Sequence, residues 1–240
     1  MNIDIWSDIA CPWCYIGKRR FESALARFEH RDDVTVTWHS FQLDPTLPAH
    51  YDGTELEYLS ERKGMPADRV AQMFAQVTEV AAGEGLAYDF DSVVVANSLP
   101  GHELMHLAAE HGVAGEVKEA LLSAHFEHGE DIGSREVLVR IGTEAGLDAG
   151  EITAALDSGR YADAVGSDIR RAQSLGITGV PFFVLDDKYG VSGAQPVELF
   201  EQALRTAWAE SHPLVMVAPE GAAAPSDAGL NGQACGPDGC

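Results

Sequence analysis

The sequence predicts an α/β protein in which a small sheet, drawn from both ends of the chain, is interrupted by a large all-helical insertion. Three observations carry this expectation. Strand-like segments fall mainly near the N-terminus and after Gly179. Residues 54–176 show helical periodicity almost throughout, punctuated by glycines at helix-end positions. The resulting order is β-α-β, then helices, then β-β-α, so the two strand groups must meet across the insertion to form one sheet.

The elements follow in order. Ile3 and Ile5 alternate with polar neighbours and mark a short strand over residues 2–6. A helix runs from Pro12 to about His30, with Phe21, Leu25 and Phe28 on one face. Residues 34–41 are rich in β-branched and aromatic residues and form a second strand, where His39 reads as a satisfied structural histidine. Thr54 with Glu57 fits a capping box, and Pro66 opens a helix that stops near Gly83. Further helices are expected at 98–111, 114–128, 134–146, 148–158 and 162–175, with Gly112, Gly146, Gly159 and Gly176 near their ends. Val93–Val95 is a short strand-like fragment. Residues 182–185 and 189–192 form a hairpin, and Pro196 opens a last helix ending near Ala209. The division is residues 1–45 with 177–210, a helical insertion at 46–176, and a tail at 211–240. The tail is dominated by Gly, Ala and Pro and reads as flexible, with residues 214–217 as a docking segment.

The chain has 240 residues, 45% hydrophobic and 22% charged, with a formal net charge of −22. This is too apolar for a disordered chain, and its charge would repel a phosphate backbone, so no nucleic-acid partner is expected. No apolar run reaches membrane-spanning length and no secretory signal is visible, so no membrane partner is expected and the setting reads as cytoplasmic. Four cysteines in 240 residues do not make a disulfide-stapled scaffold.

The cysteines fall into two pairs. Cys11-Pro12-Trp13-Cys14 lies between the first strand and the first helix. A thiol at a helix N-terminus meets free N–H groups that favour its anion, and the thiolate is the nucleophile of disulfide exchange. Cys11 would form the mixed disulfide, and Cys14, one turn further in, would resolve it. Pro12 suits the helix start and Trp13 offers an aromatic surface. Half of a zinc site, or two inert buried thiols, are the competing readings, and zinc would require a second ligand pair. A proline facing the thiols would complete a redox site. Pro181, just before the third strand, suits that place, and a cis peptide at Val180–Pro181 would leave the Val180 backbone free for a substrate segment; the alternative is a plain strand-start proline. Asp8, three residues before Cys11, would tune the thiols or cap a turn.

Residues 7–20, Ser-Asp-Ile-Ala-Cys-Pro-Trp-Cys-Tyr-Ile-Gly-Lys-Arg-Arg, resemble the FrnE-like branch of the DsbA family of thiol–disulfide oxidoreductases. Residues 176–183 are similar to that family's cis-proline loop, and Asn97-Ser98 with residues 101–108 to its helical-domain signature. The resemblance covers about residues 1–210 and implies a thioredoxin-like fold with a helical insertion. It sets Asn97 beside Asp8 among the supporting polar residues. Related 2-hydroxychromene-2-carboxylate isomerases and kappa-class glutathione transferases place a serine at the Cys11 position and lack the second thiol. A glutathione-dependent isomerase or transferase is therefore the alternative activity, and a redox-sensing or chaperone-like binding protein the alternative from another class.

Cys235 and Cys240 form a second pair in the tail. The 20 residues before them reach about 25 Å as a Gly-rich coil, so an auxiliary redox pair exchanging with Cys11–Cys14 is expected. FrnE-like proteins can carry such a pair. The expected partners are protein thiols or disulfides and small thiols; the oligomeric state is left open. No cofactor or metal is required, and redox equivalents would come from a thioredoxin or a low-molecular-weight thiol system. His102-Glu-Leu-Met-His106 matches H-E-x-x-H, but its place at a helix start favours packing or surface histidines over zinc. His125 and His128 are a weaker metal candidate of the same kind. Lys18-Arg19-Arg20 reads as a solvated helix face, within an N-terminal segment much less acidic than the remainder.

Overall fold

Strand β1 (Asn2–Ser7) is flanked on both sides and must bury both faces; Ile3, Ile5 and Trp6 are fully buried. In the computed structural model, which describes residues 1–49 and 51–213, the sheet order is β2-β1-β3-β4. Strand β2 (Thr35–Ser40) runs parallel to β1, with Ile5 opposite Trp38. Strand β3 (Phe182–Leu185) runs antiparallel to β1, with Trp6 opposite Phe182 and Ile3 opposite Leu185. Strand β4 (Tyr189–Ser192) closes the edge by an antiparallel pairing with β3. This is the mixed sheet of a thioredoxin-like α/β fold.

Helices α1 (Pro12–Ala26) and α9 (Val197–Ser211) pack together beside the sheet. Phe21, Phe183 and Phe200 meet there at ring separations of 5.4, 5.8 and 4.6 Å. Helix α1 ends at Ala26, four residues short of the expectation. From Arg27 the amides bond three residues back (Arg27 N to Ala24 O, 3.2 Å; Phe28 N to Leu25 O, 3.0 Å), and Phe28 meets Trp208 edge to face.

Between β2 and β3 the chain forms α2 (Glu55–Arg62), α3 (Ala67–Gly83), α4 (Leu99–Glu110), α5 (Ala114–Phe126), α6 (Arg135–Glu144), α7 (Ala149–Ser158) and α8 (Ala162–Ser174). The Thr54–Glu57 capping box closes in both directions, at 3.2 and 2.8 Å. Gly159 ends α7 in the left-handed conformation, at φ 60°. Leu104, Leu121, Leu138, Ile141 and Ile152 form the core of this helical region, and Ile9 from the loop after β1 joins them.

Two expectations need correction. Residues 84–97 lie between helices, as the stop near Gly83 and the start at 98 imply, but Val94 forms a single bridge with Thr54 rather than the strand fragment expected at Val93–Val95. Leu86, Tyr88 and Val93 instead pack as a non-helical wall against Tyr15, Ile16 and Phe126. Nor do Lys18, Arg19 and Arg20 form a solvated face. Lys18 is buried between Glu22 and Glu119 at 2.7 and 2.6 Å, Arg19 pairs with Glu119, and Arg20 reaches Glu84 at 2.6 Å and the Ala194 carbonyl at 2.7 Å. In an acidic chain these cations draw carboxylates from other elements onto α1.

A carboxylate–histidine clamp ties α8 to the sheet. His39 lies between Asp4 at 2.6 Å and Asp168 at 2.8 Å. The Ser40 amide donates to Asp168 at 2.8 Å, and His106 lies 3.3 Å from the same carboxylate. His39 also stacks on Trp6 at 4.5 Å, while the Trp6 indole N–H donates to the Asp168 carbonyl at 3.1 Å. His39 is thus a satisfied structural histidine. Burial opposes its charge, but Asp168 and Asp4 outweigh burial and raise its pKa. The contribution of protonated His39 is complete below the ordinary histidine range and fades as pH rises through the folded value. Asp168 is held well below the usual carboxylate range despite burial, so its contribution is lost only in acid. His39→Gln should therefore cost about 2 kcal/mol near pH 5.5 and clearly less at pH 8.5, as read from paired denaturant melts.

Candidate active site

Cys11 and Pro181 are brought together because β1 and β3 are neighbours in opposite directions. The chain leaves the C-terminal end of β1 for Cys11 and enters β3 from Pro181 at that same edge. Cys11 is the N-cap of α1, with Pro12 at the first helical position, and the Cys14 amide closes the turn on the Cys11 carbonyl at 3.0 Å. Cys11 is 4% exposed and Cys14 1%. Both are free thiols. The Val180–Pro181 peptide is cis, and Cys11 Sγ lies 3.6 Å from the Val180 carbonyl oxygen.

The close approach of Pro181 depends on Gly17. It lies three residues after Cys14 in α1, and a Cβ there would sit 2.8 Å from Pro181 Cγ. Tyr88, from the non-helical wall, donates to the Pro12 carbonyl at 2.7 Å and braces the first turn of α1.

Behind the thiols lies a buried charged group. Asp8 accepts from the Leu43 amide at 2.7 Å and the Ala10 amide at 3.3 Å, and His102 Nε2 lies 3.2 Å from its carboxylate. Burial raises the Asp8 carboxyl, but His102 and the Leu43 amide outweigh this and keep it ionised. Burial pushes His102 below the ordinary histidine range, so a neutral imidazole donates to Asp8. Lys118 on α5 is 2% exposed, and its ammonium lies 5.9 Å from the Trp38 ring centre. Burial lowers its pKa, against the attraction of Cys14, Asp8 and Cys11.

The two thiols titrate as one unit. Burial disfavours a Cys14 thiolate. The hydrogen bond from Cys11, the Lys118 ammonium, Ser7 and the Asp8 backbone together more than offset that and hold Cys14 below the ordinary thiol range. The same hydrogen bond, then burial and the negative charges of Cys14 and Asp8, raise Cys11. The pair therefore loses its first proton readily and its second with difficulty. Cys11 is the more exposed of the two sulfurs and opens on the surface beside it.

That opening is a cavity of about 240 Å³ between the Cys11 loop and helices α2 and α3. Leu47, Leu59, Met73, Phe74, Val77 and Phe90 line its apolar walls, together with Pro12 and Trp13. Asn97 does not reach the thiols. It donates to the Leu47 carbonyl at 2.6 Å and accepts from Gln42 and the Leu99 amide at 3.0 and 2.9 Å, fixing the wall of the cavity to the start of α4.

The H-E-x-x-H histidines divide between two carboxylates, His102 on Asp8 and His106 on Asp168. His128 turns back to the Ser123 carbonyl at 3.1 Å, whereas His125 is buried and lines the cavity. Cys235, Cys240 and residues 214–217 lie outside the described residues. Sequence reasoning missed Gly17, Tyr88 and Lys118. The signal for Lys118 was a charged residue in the apolar row Lys118, Leu122, His125 at helical spacing.

The chain belongs to the DSBA-like thioredoxin domain family, which matches residues 2–205. It is similar to the crystal structure of a probable DsbA oxidoreductase from Streptomyces coelicolor, with 44% identity, 100% of this chain and 98% of that one covered, and a TM-score of 0.82. An uncharacterized protein of Bacillus subtilis, YwbO, is 26% identical over 212 residues, 85% of this chain and 96% of that one. A 2-hydroxychromene-2-carboxylate isomerase shares the fold at a TM-score of 0.64 and 14% identity, over 88% of this chain and 98% of that one. The class is thus a DsbA-like oxidoreductase.

The buried ammonium generates a direct expectation. Lys118→Met should move the first ionisation of the thiol pair to higher pH in a thiolate absorbance titration at 240 nm. Alkylation by iodoacetamide at neutral pH should slow several-fold.

Proposed function

We propose that this chain is a thiol–disulfide oxidoreductase that exchanges disulfides with protein thiols, and with small thiols, through Cys11 and Cys14. The observation that carries the reading is the placement of Cys11 Sγ, at the cavity mouth, 3.6 Å from the Val180 carbonyl and one helical turn from a second thiol. In the reducing direction, the Cys11 thiolate attacks one sulfur of a substrate disulfide. A Cys11–substrate disulfide forms and the other substrate sulfur leaves as a thiolate that takes up a proton. Cys14 then attacks the Cys11 sulfur and displaces the second substrate thiol. Two electrons pass from the cysteine pair to the substrate, and the reverse sequence oxidises a dithiol.

Residues Pro12, Trp13, Val180 and Pro181 form the substrate groove in this reading. The Val180 N–H has no hydrogen-bond partner among the described residues and is open to an extended substrate segment. An isomerase shares the fold, so the fold does not discriminate between the two chemistries. The second thiol, placed to resolve a mixed disulfide, favours redox exchange. The proposed setting is cytoplasmic, with electrons supplied by a thioredoxin or a small-thiol system and no cofactor.

The Cys11→Ser/Cys14→Ser variant should lose insulin reduction and dithiol oxidation to background; retained turnover would overturn the proposal. Persistent partner binding by this variant would instead favour a binding protein. Cys14→Ser alone should accumulate a mixed disulfide on Cys11, visible by mass spectrometry. Turnover of a small organic substrate by that variant would favour the isomerase or transferase reading. The proposal extends to Cys235 and Cys240 as an auxiliary pair passing electrons to Cys11–Cys14. Cys235→Ser/Cys240→Ser should slow recovery from oxidation, whereas unchanged turnover and recovery would remove the tail from the scheme.

A further inference from the structure

The cavity beside Cys11 holds one charged group with no compensation among the described residues. Asp8 is matched by His102 and two backbone amides. Asp44 accepts from Tyr58 at 2.9 Å, with Lys63 at 3.4 Å and Arg62 at 4.0 Å, so both local cations are engaged. Glu55, at the first position of α2, takes no part in the capping box and makes no hydrogen bond or ion pair with any described residue. Burial alone raises its pKa to about 7.

The same cavity is lined by a second unsatisfied group. His125 on α5 is 2% exposed, and its Nδ1 has no partner. Burial holds its pKa down to about 4, so it is neutral, and with the ring proton on Nε2 its Nδ1 is a free acceptor. A half-buried, unpaired carboxylate and a buried neutral imidazole line one apolar chamber.

We propose that this cavity is a specificity subsite for the residue flanking the substrate cysteine, and that it selects a lysine or arginine. The aliphatic stem would lie along Leu59, Met73 and Phe74, and the cation would reach Glu55. Charge complementarity argues for this occupant. An acidic side chain would meet Glu55 and Asp44, and a purely apolar one would leave the Glu55 carboxylate unpaired. The net charge of −22 adds attraction for basic partners at long range. The inference rests on the disulfide-exchange reading and names its substrate class.

The test uses the full-length reduced protein and symmetrical disulfide dimers of acetyl-Xaa-Cys-Gly-amide, with Xaa Lys, Leu or Glu. Each turnover oxidises the Cys11–Cys14 pair and releases two peptide thiols, followed by quenched-flow mass spectrometry. At pH 8 and low salt, the lysine peptide should react about fivefold to tenfold faster than the leucine peptide, and the glutamate peptide slowest. The lysine-to-leucine ratio should fall between pH 8 and pH 6 as Glu55 takes up a proton. Ionisation of Cys11 changes all peptide rates together and cancels in the ratio. Asp8, Asp44, Tyr58 and His125 also line this chamber, each shifted away from these pH values, and Lys63 lines it beside Asp44. Glu55→Gln should bring the ratio close to one, whereas long-range attraction would survive that change. Equal rates in the wild type, or a ratio unchanged in Glu55→Gln, would overturn the subsite while leaving disulfide exchange intact. Failure of every peptide to exchange would remove the disulfide-exchange reading, and this inference with it. The wild-type pH series needs no variant and decides the matter if Glu55→Gln folds poorly.

Discussion

The antiparallel pairing of β1 with β3 is the constraint on which the rest depends. Trp6 opposes Phe182 across this ladder, so the chain leaving β1 and the chain entering β3 share one edge of the sheet. Cys11 lies five residues after Trp6, and Pro181 immediately precedes Phe182. A one-residue slip would turn Ile3, Ile5 and Phe183 out of the core and displace Pro181 relative to Cys11. Register is therefore held by the hydrophobic core, and the site inherits its precision from that core. The absence of a side chain at Gly17 then permits the last few ångströms of approach.

The helical insertion is more than a cover. It supplies His102 and Lys118 to the buried face of the thiol pair, Tyr88 to the first turn of α1, and one side of the cavity. Burial penalises charge at Asp8, Lys118 and the thiols alike, so each becomes tolerable only through the others. Thiol reactivity is thereby coupled to the docking of α4 and α5 onto the loop after β1. The His39 clamp serves the same architecture from the other side, joining β1 and β2 to α8, the helix that leads to Pro181.

Much of the fold was legible because its signals are local. Alternation at Ile3 and Ile5, the Thr54–Glu57 box and the prolines at 12, 66 and 196 each act within one turn or one strand. Errors fell where distant partners override local preference. The strand fragment expected at Val93–Val95 became part of a wall instead, because Leu86, Tyr88 and Val93 pack against Tyr15, Ile16 and Phe126. Lys18, Arg19 and Arg20 read as solvated because nothing nearby in the sequence announces Glu84 and Glu119.

The sequence by itself determined the class of fold, the two thiols at a helix start and the proline before the third strand. These follow from short-range spacing and backbone chemistry, which a linear chain displays directly. Only the tertiary structure decided which charges lie beneath the thiols, that Gly17 must lack a side chain, and that Glu55 and His125 share a cavity with Cys11. Those facts depend on groups tens to more than a hundred residues apart meeting in a low-dielectric interior. Such meetings are fixed by packing and by the need to satisfy buried polar atoms; a row such as Lys118, Leu122 and His125 shows that a charge turns inward but not which groups it meets.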